Sequence, residues 1–252
     1  MNEIVKVTPS SLIEQAKGKF MQIIDSDDSG VKYEKESMFA FQALTKSDYI
    51  YKSAMKNPNS VINAVINIAS VGLSLNPATS YAYLVPRDGS ICLDISYQGL
   101  IKIATDSGSI MWAKADLVYE NDTFTYRGVS TAPTHEADPF AKDRGAFTGV
   151  YCIAKTRDGD YLVEVMSADE VNQIRGESST IKGVKESAQK YSPWSRYFGE
   201  MTKKTCIKRA SKTWPKTDRS ERIQTAVQII NEHEGSKWDS DATISGEPLD
   251  NE

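Results

Sequence analysis

The chain has 252 residues, 40% of them apolar and 25% charged, and a net charge of −4 at pH 7. That is the composition of a globular protein long enough to bury a full core. No apolar run approaches the roughly 18–20 residues of a membrane span, and the opening MNEIVKVTPS lacks a signal-peptide core, so a cytoplasmic chain without a membrane partner is expected. The three cysteines, Cys92, Cys152 and Cys206, lie far apart among apolar neighbours. Their odd count excludes a disulfide framework and reads as buried free thiols.

In chain order, Ser11-Leu-Ile-Glu14 has the spacing of a capping box and predicts a helix to about Asp25. SDDSG (26–30) reads as a loop. Helical periodicity resumes from about Glu34 to Lys56, with a break near Ser47. Asn57-Pro58 opens a further helix that carries Val61, Val65, Ile68 and Ala69 on one face and ends near Gly72. Strands follow. YAYLVP and ICLDISY flank Asp88-Gly89, a hairpin signal. A short helix spans Tyr97 to Asp106 and stops at Gly108. Further strands are expected at about 110–119 and 122–127, then a polar loop over 130–145. A second hairpin joins AFTGVYCIAKT to YLVEVM through Asp158-Gly159. Ser167-Ala-Asp-Glu170 caps a short helix, residues 176–191 read as a mobile Ser/Gly/Lys loop, and a last helix runs from about Asp218 to His233. The order predicts an α+β fold: N-terminal helices, a central mixed sheet with two hairpins, a C-terminal basic helix and a further helix.

Charge is distributed unevenly. Residues 182–219 hold eleven Lys and Arg against three acids, an excess of +8, whereas residues 235–252 carry −4. The acidic total therefore conceals a basic patch. Its centre is SPWSRYFGEMTKKTCIKRASKTWP (192–215), which Pro193 opens and Pro215 stops as a helix. At 100° per residue, Cys206, Ile207, Ala210 and Trp214 share an inward arc. Lys204, Lys208 and Lys212 repeat along another arc, roughly 6 Å apart, with Arg209 beside it and Lys203 nearer the apolar side. Spacing alone also describes a solvated surface helix. Three features favour a polyanion: acidic partners are scarce nearby in the sequence, Trp194, Tyr197 and Trp214 interleave with the bases, and the excess extends to Lys182, Lys185 and Lys190. Lys204 and Lys208 lie off the apolar arc, so their removal is expected to weaken binding and leave the fold intact.

Catalytic signatures are missing. Gly18-Lys19 is followed by Phe20 inside a helix and forms no phosphate loop. The only histidines are His135 and His233, and Asp25, Asp27 and Asp28 crowd into a polar turn rather than a metal site. No G-x-S-x-G elbow marks a nucleophile. These absences favour a binding protein over an enzyme.

Four segments in order, GLSLNPATSYAYLVP, ISYQGLIKIATDSG, VYENDTF and the basic stretch at 192–215, resemble the RecT family of phage single-strand annealing proteins, relatives of the phage lambda Beta protein. The resemblance implies an ATP-independent protein that coats single-stranded DNA, anneals complementary strands in homologous recombination, and assembles into rings or filaments. It further implies partnership with a 5′→3′ exonuclease and a host single-strand-binding protein. No cofactor is implied, with Mg²⁺ assisting only by screening DNA charge. The family's DNA-contacting lysines map best onto Lys203, Lys204, Lys208 and Arg209, with Lys212 next in the row. Many relatives have Lys or Arg where this chain has Gln98, and Lys102, one turn on, is a substitute. Tyr97 and Trp194 are the aromatic candidates.

The chain divides into one annealing domain over 1–234, with a helical part (1–70) and a core (72–215) that carries the resemblance, and a polar, acidic tail (235–252) expected to be disordered. The tail is either dispensable or a docking segment. An annealer must leave base edges free, so its contacts fall on phosphates, with an aromatic or apolar side chain between bases. Other readings are a coating protein that does not anneal, a nuclease with an unrecognised acidic site, and a scaffold for an acidic protein.

Overall fold

A computed structural model describes residues 7–25, 30–178, 180–217 and 221–234. The tail at 235–252 and most of the SDDSG turn lie outside the described residues. Helix α1 spans Pro9–Asp25. Its cap is Thr8, not Ser11 paired with Glu14. Thr8 N–H donates to Ser11 Oγ at 3.0 Å and Ser11 N–H donates to Thr8 Oγ1 at 3.2 Å. Pro9, which has no donor to satisfy, opens the first turn three residues earlier than expected.

Helices α2 (Tyr33–Thr45) and α3 (Asp48–Lys56) are separated at Ser47, whose hydroxyl accepts from Ile50 N–H and so starts the second helix. Asn57 caps α4 (Pro58–Val71), and Gly72 ends it at φ 66°. The α4 face of Val61, Ala64, Val65, Ile68 and Ala69 is buried beneath α1, which contributes Leu12, Ile13, Ala16 and Phe20. Tyr33 stacks edge-on against Phe20 at 5.4 Å, and its hydroxyl donates to Ile13 O.

Glu36, in the first turn of α2, is only 2% exposed. Its carboxylate accepts from the Ser74 hydroxyl at 2.6 Å and from Leu75 N–H at 2.7 Å. Ser74 Oγ accepts from Asn76 N–H, and Asn76 Oδ1 from Ala78 N–H. GLSLNPATS is therefore a bend clamped by a carboxylate 36 or more residues earlier. Glu36→Ala would strand the buried Leu75 N–H and leave the half-buried Ser74 hydroxyl without its acceptor, and a loss of about 2 kcal/mol is expected in urea unfolding. A loss below about 1 kcal/mol would remove the clamp from the account.

Strands β1 (Ala82–Arg87) and β2 (Ser90–Ile95) pair antiparallel and close on Asp88-Gly89, with φ of 48° and 76° as a two-residue hairpin turn requires. Ser96 caps α5 (Tyr97–Asp106). A Cβ at Gly99 would lie 2.4 Å from the Tyr81 carbonyl oxygen, so the Tyr-Gln-Gly block needs glycine for close packing. β3 (Trp112–Tyr119), β6 (Phe147–Lys155) and β7 (Tyr161–Ser167) form an antiparallel sheet in the order β3-β6-β7, and β4 (Thr123–Thr125) and β5 (Thr134–Glu136) form a separate ribbon. The α+β class is as expected. The single mixed sheet is not: all described pairings are antiparallel, and the strands divide into three small sheets. The polar loop at 130–145 contributes β5, which folds back on β4 instead of leaving β4 to extend the larger sheet.

A buried ion pair fastens that ribbon. The Asp122 side chain is 2% exposed. It accepts from Arg144 Nε at 2.9 Å and Nη2 at 2.6 Å, and from Tyr119 N–H at 2.8 Å. His135 Nε2 lies 3.2 Å from the same carboxylate and Nδ1 lies 3.3 Å from the Tyr151 hydroxyl. A carboxylate only accepts, so Nε2 carries a proton, and in the neutral ring Nδ1 then accepts from Tyr151. The Arg144 hydrogen bonds hold the Asp122 carboxyl well below the usual carboxylate range.

Ser167 and Glu170 form the expected capping box of α6 (Ala168–Glu177). Helices α7 (Glu186–Gln189), α8 (Pro193–Arg196), α9 (Phe198–Ser211) and α10 (Glu221–Glu234) follow. The segment expected as a mobile loop contains α7 and turns, tied by the Gln189 side-chain amide donating to Ile181 O and Val184 O. α9 packs over all three strands of the larger sheet and against α5, while α10 packs against α4, β2 and α5. Most of the buried apolar residues form one cluster from Leu12 to Ile230.

Candidate nucleic-acid interface

The basic stretch is two helices. Tyr197, at φ −134° and ψ 46°, interrupts the run between α8 and α9. Below the break the inward arc is as expected: Cys206, Ile207, Ala210 and Trp214 are each 4% exposed or less. Burial pushes the Cys206 and Cys92 thiols up and the Cys152 thiol up to about 12, so none supplies a thiolate at neutral pH.

The cations of α9 lie beside this arc and are less open than the sequence implies. Lys203, Lys204 and Lys208 are half-buried, and Arg209 and Lys212 are exposed. Acidic partners, scarce in the local sequence, arrive from other elements. Lys204 Nζ lies 3.2 Å from Asp94 Oδ1 on β2, and Arg87 Nη2 approaches the same oxygen at 3.4 Å. Arg209 Nε lies 2.8 Å from Glu164 Oε1 on β7, and its Nη1 2.7 Å from Glu170 Oε1 on α6. Hydrogen bonding from Arg209 holds the Glu170 carboxyl below its ordinary value. Lys203 approaches Glu200 at 3.8 Å, and the Tyr97 hydroxyl donates to Glu200 at 3.0 Å.

The structure thus brings α5, the β1–β2 hairpin and α9 together. Tyr97 joins α9 through Glu200, and Gln98 is exposed on the first turn of α5. Lys102 pairs with Asp106 along α5. Two expectations change. Trp194 is 3% exposed and packs beside Phe198 with ring centres 6.3 Å apart, so it anchors α8 in the core and offers no face to a strand. The Lys204 side chain is only 14% exposed and neutralises Asp94, so its removal affects the fold as well as the charged face. Asp94 and Glu164 were missed because Lys204 and Arg209 lie far along the chain, and Arg87 because its partner Asp94 sits on the facing strand. A signal was present: Asp94 and Glu164 are each the only acid in an apolar strand, and a buried strand seldom carries a lone charge without a partner.

A helix laid across a sheet, with a cationic flank beside a hairpin and the Tyr-Gln-Gly helix, unites three of the four quoted segments in one place. The sequence profile of the RecT family matches residues 35–241. The chain belongs to the RecT family. Protein RecT of Escherichia coli (strain K12) is 31% identical over 179 residues, which cover 68% of this chain and 62% of that protein. The chain therefore matches less than two thirds of that relative's length. Every interface residue named above falls within the span matched by the RecT family profile. Among the described residues of this RecT-family chain, no helix is long and apolar enough to cross a membrane, and no group of three or more His, Cys, Asp or Glu is placed to hold a metal.

Proposed function

We propose that this chain binds single-stranded DNA through the α9 flank and anneals complementary strands without ATP in phage-type recombination. The observation that carries this reading is the row Lys203, Lys204, Lys208, Arg209 and Lys212 on a helix fixed across a sheet, within a region of +8 excess. The anchored inward arc fixes the row's direction, so phosphates meet an ordered set of cations. Gln98 and Lys102 extend the surface along α5.

Several of these cations already hold acids. A phosphate arriving at Arg209 displaces Glu164 and Glu170, and one arriving at Lys204 displaces Asp94. Exchanging one anion for another keeps the net gain per contact small, which suits a protein that must hold a strand and then yield it to duplex. Base edges stay free because phosphates carry the affinity. Assembly of many protomers along a strand holds it extended, so pairing costs less ordering entropy. In this reading the protein works as a ring or filament, receives its strand from a 5′→3′ exonuclease, and meets a host single-strand-binding protein. Mg²⁺ contributes by screening.

Oligonucleotide binding at several salt concentrations tests the reading. Log affinity is expected to fall linearly with log salt at about −0.7 per phosphate contacted, with little dependence on base composition. Mixing complementary strands should give duplex at equal rates with and without ATP. A flat salt response, or strong preference for one sequence, overturns the reading, and binding without annealing leaves a coating protein.

A further inference from the structure

We propose that Tyr191, flanked by Lys190 and Arg196, is a base-stacking site for single-stranded DNA, continued by Tyr197. This rests on the reading that the chain binds single strands. The aromatics of residues 191–214 divide sharply. Trp194 and Trp214 are 3% and 4% exposed, and Phe198 packs on Trp194 and Phe147. Tyr191 and Tyr197 are each 62% exposed, and neither ring contacts another aromatic among the described residues.

The charge around Tyr191 is also differently placed from that of α9. Lys190 Nζ lies 5.0 Å from the Tyr191 ring centre and Arg196 Cζ lies 5.6 Å from it. Among the described residues neither cation holds an acid, whereas Lys203, Lys204 and Arg209 all do. A phosphate therefore reaches Lys190 and Arg196 without displacing a carboxylate.

The backbone beneath the rings is fixed. Tyr191 N–H donates to Ala188 O, and Gln189 ties the preceding turn. Ser192 Oγ accepts from Ser195 N–H as the cap of α8, Tyr197 N–H donates to Pro193 O, and Trp194 plugs the core between them. Little ordering is lost when a ligand arrives. A nucleobase stacked on an exposed tyrosine keeps its pairing edge open, and stacking tolerates any sequence because every base has a π face. It outweighs the exposed cation–π contact that it replaces, which releases Lys190 and Arg196 to the flanking phosphates.

The test uses the full chain, an oligo-dT strand and an abasic strand of equal length, with binding followed by fluorescence anisotropy at one salt concentration. Tyr191→Ala should weaken dT binding about tenfold and abasic binding by less than about twofold. Tyr191→Phe should bind like the unsubstituted protein, and Lys190→Ala with Arg196→Ala should weaken both strands. Equal losses on both strands, or no loss in Tyr191→Ala, overturn the proposal while binding of DNA by the chain stands. Equal affinity of the unsubstituted protein for the two strands overturns it without any variant. An unsubstituted protein that binds neither strand overturns this proposal together with the reading beneath it.

Discussion

Ile207→Ala is expected to lower unfolding stability by about 3–4 kcal/mol. Ile207 is 1% exposed on α9, a helix that packs over the β3-β6-β7 sheet and against α5. Truncation removes apolar contacts from the core cluster to which Ile207 belongs. Antiparallel strands on one side and α5 on the other leave little room for collapse, which sets the loss above the lower end of the range for such changes. Urea unfolding followed by circular dichroism measures it. A loss below about 1 kcal/mol would mean that the faces of α9 are assigned the wrong way round, and the cationic flank with them.

Arg144→Ala is expected to cost about 3 kcal/mol at pH 7, because it leaves the Asp122 carboxylate in the interior without its main partner. The figure is at the low end for such pairs, since the Arg144 side chain is 27% exposed. The sign with pH follows from the direction of the shift. The Asp122 carboxyl titrates lower in the folded state than in the unfolded chain, where it titrates near about 3.9. Its contribution is therefore complete above that value and is lost as pH falls through it toward the folded value. The gap between the unsubstituted protein and Arg144→Ala should accordingly be widest near neutrality and should narrow below about pH 4. Unfolding at a series of pH values reads this directly, and a gap that stays constant with pH removes the carboxylate as its source.

Local rules placed most elements. Asn57-Pro58, Gly72, Asp88-Gly89 and the Ser167–Glu170 box lie where their chemistry dictates, because each acts over three or four residues of chain. Thr8 displaced Ser11 as the cap of α1 for an equally local reason, a proline that the spacing rule did not weigh. What escaped was long-range. β5 forms within the loop at 130–145 and pairs with β4, and the ribbon is fastened by Asp122 and Arg144, 22 residues apart. The same limit affected the candidate interface. The arc of α9 was legible from a 100° turn per residue, and with it the burial of Cys206, Ile207, Ala210 and Trp214. The counter-charges Asp94, Glu164 and Glu170 were not, since only the tertiary fold delivers them. Trp194 looked like part of a basic, aromatic surface because its neighbours in sequence are. The break at Tyr197 turns it inward and leaves Tyr191 and Tyr197 outside.

The match to the RecT family begins at residue 35, whereas α1 ends at Asp25 and covers the most apolar helix of the chain. Residues outside the profile's span thus bury part of the core within it. A gene fragment trimmed to the matched boundaries would bare the stripe of Val61, Val65 and Ile68, and would also lose Tyr33 from its place beside Phe20. Such a fragment is an aggregation hazard. Similarity marks where a function has been retained, whereas the autonomous folding unit is drawn by the exclusion of water, and in this chain the two boundaries differ by a whole helix.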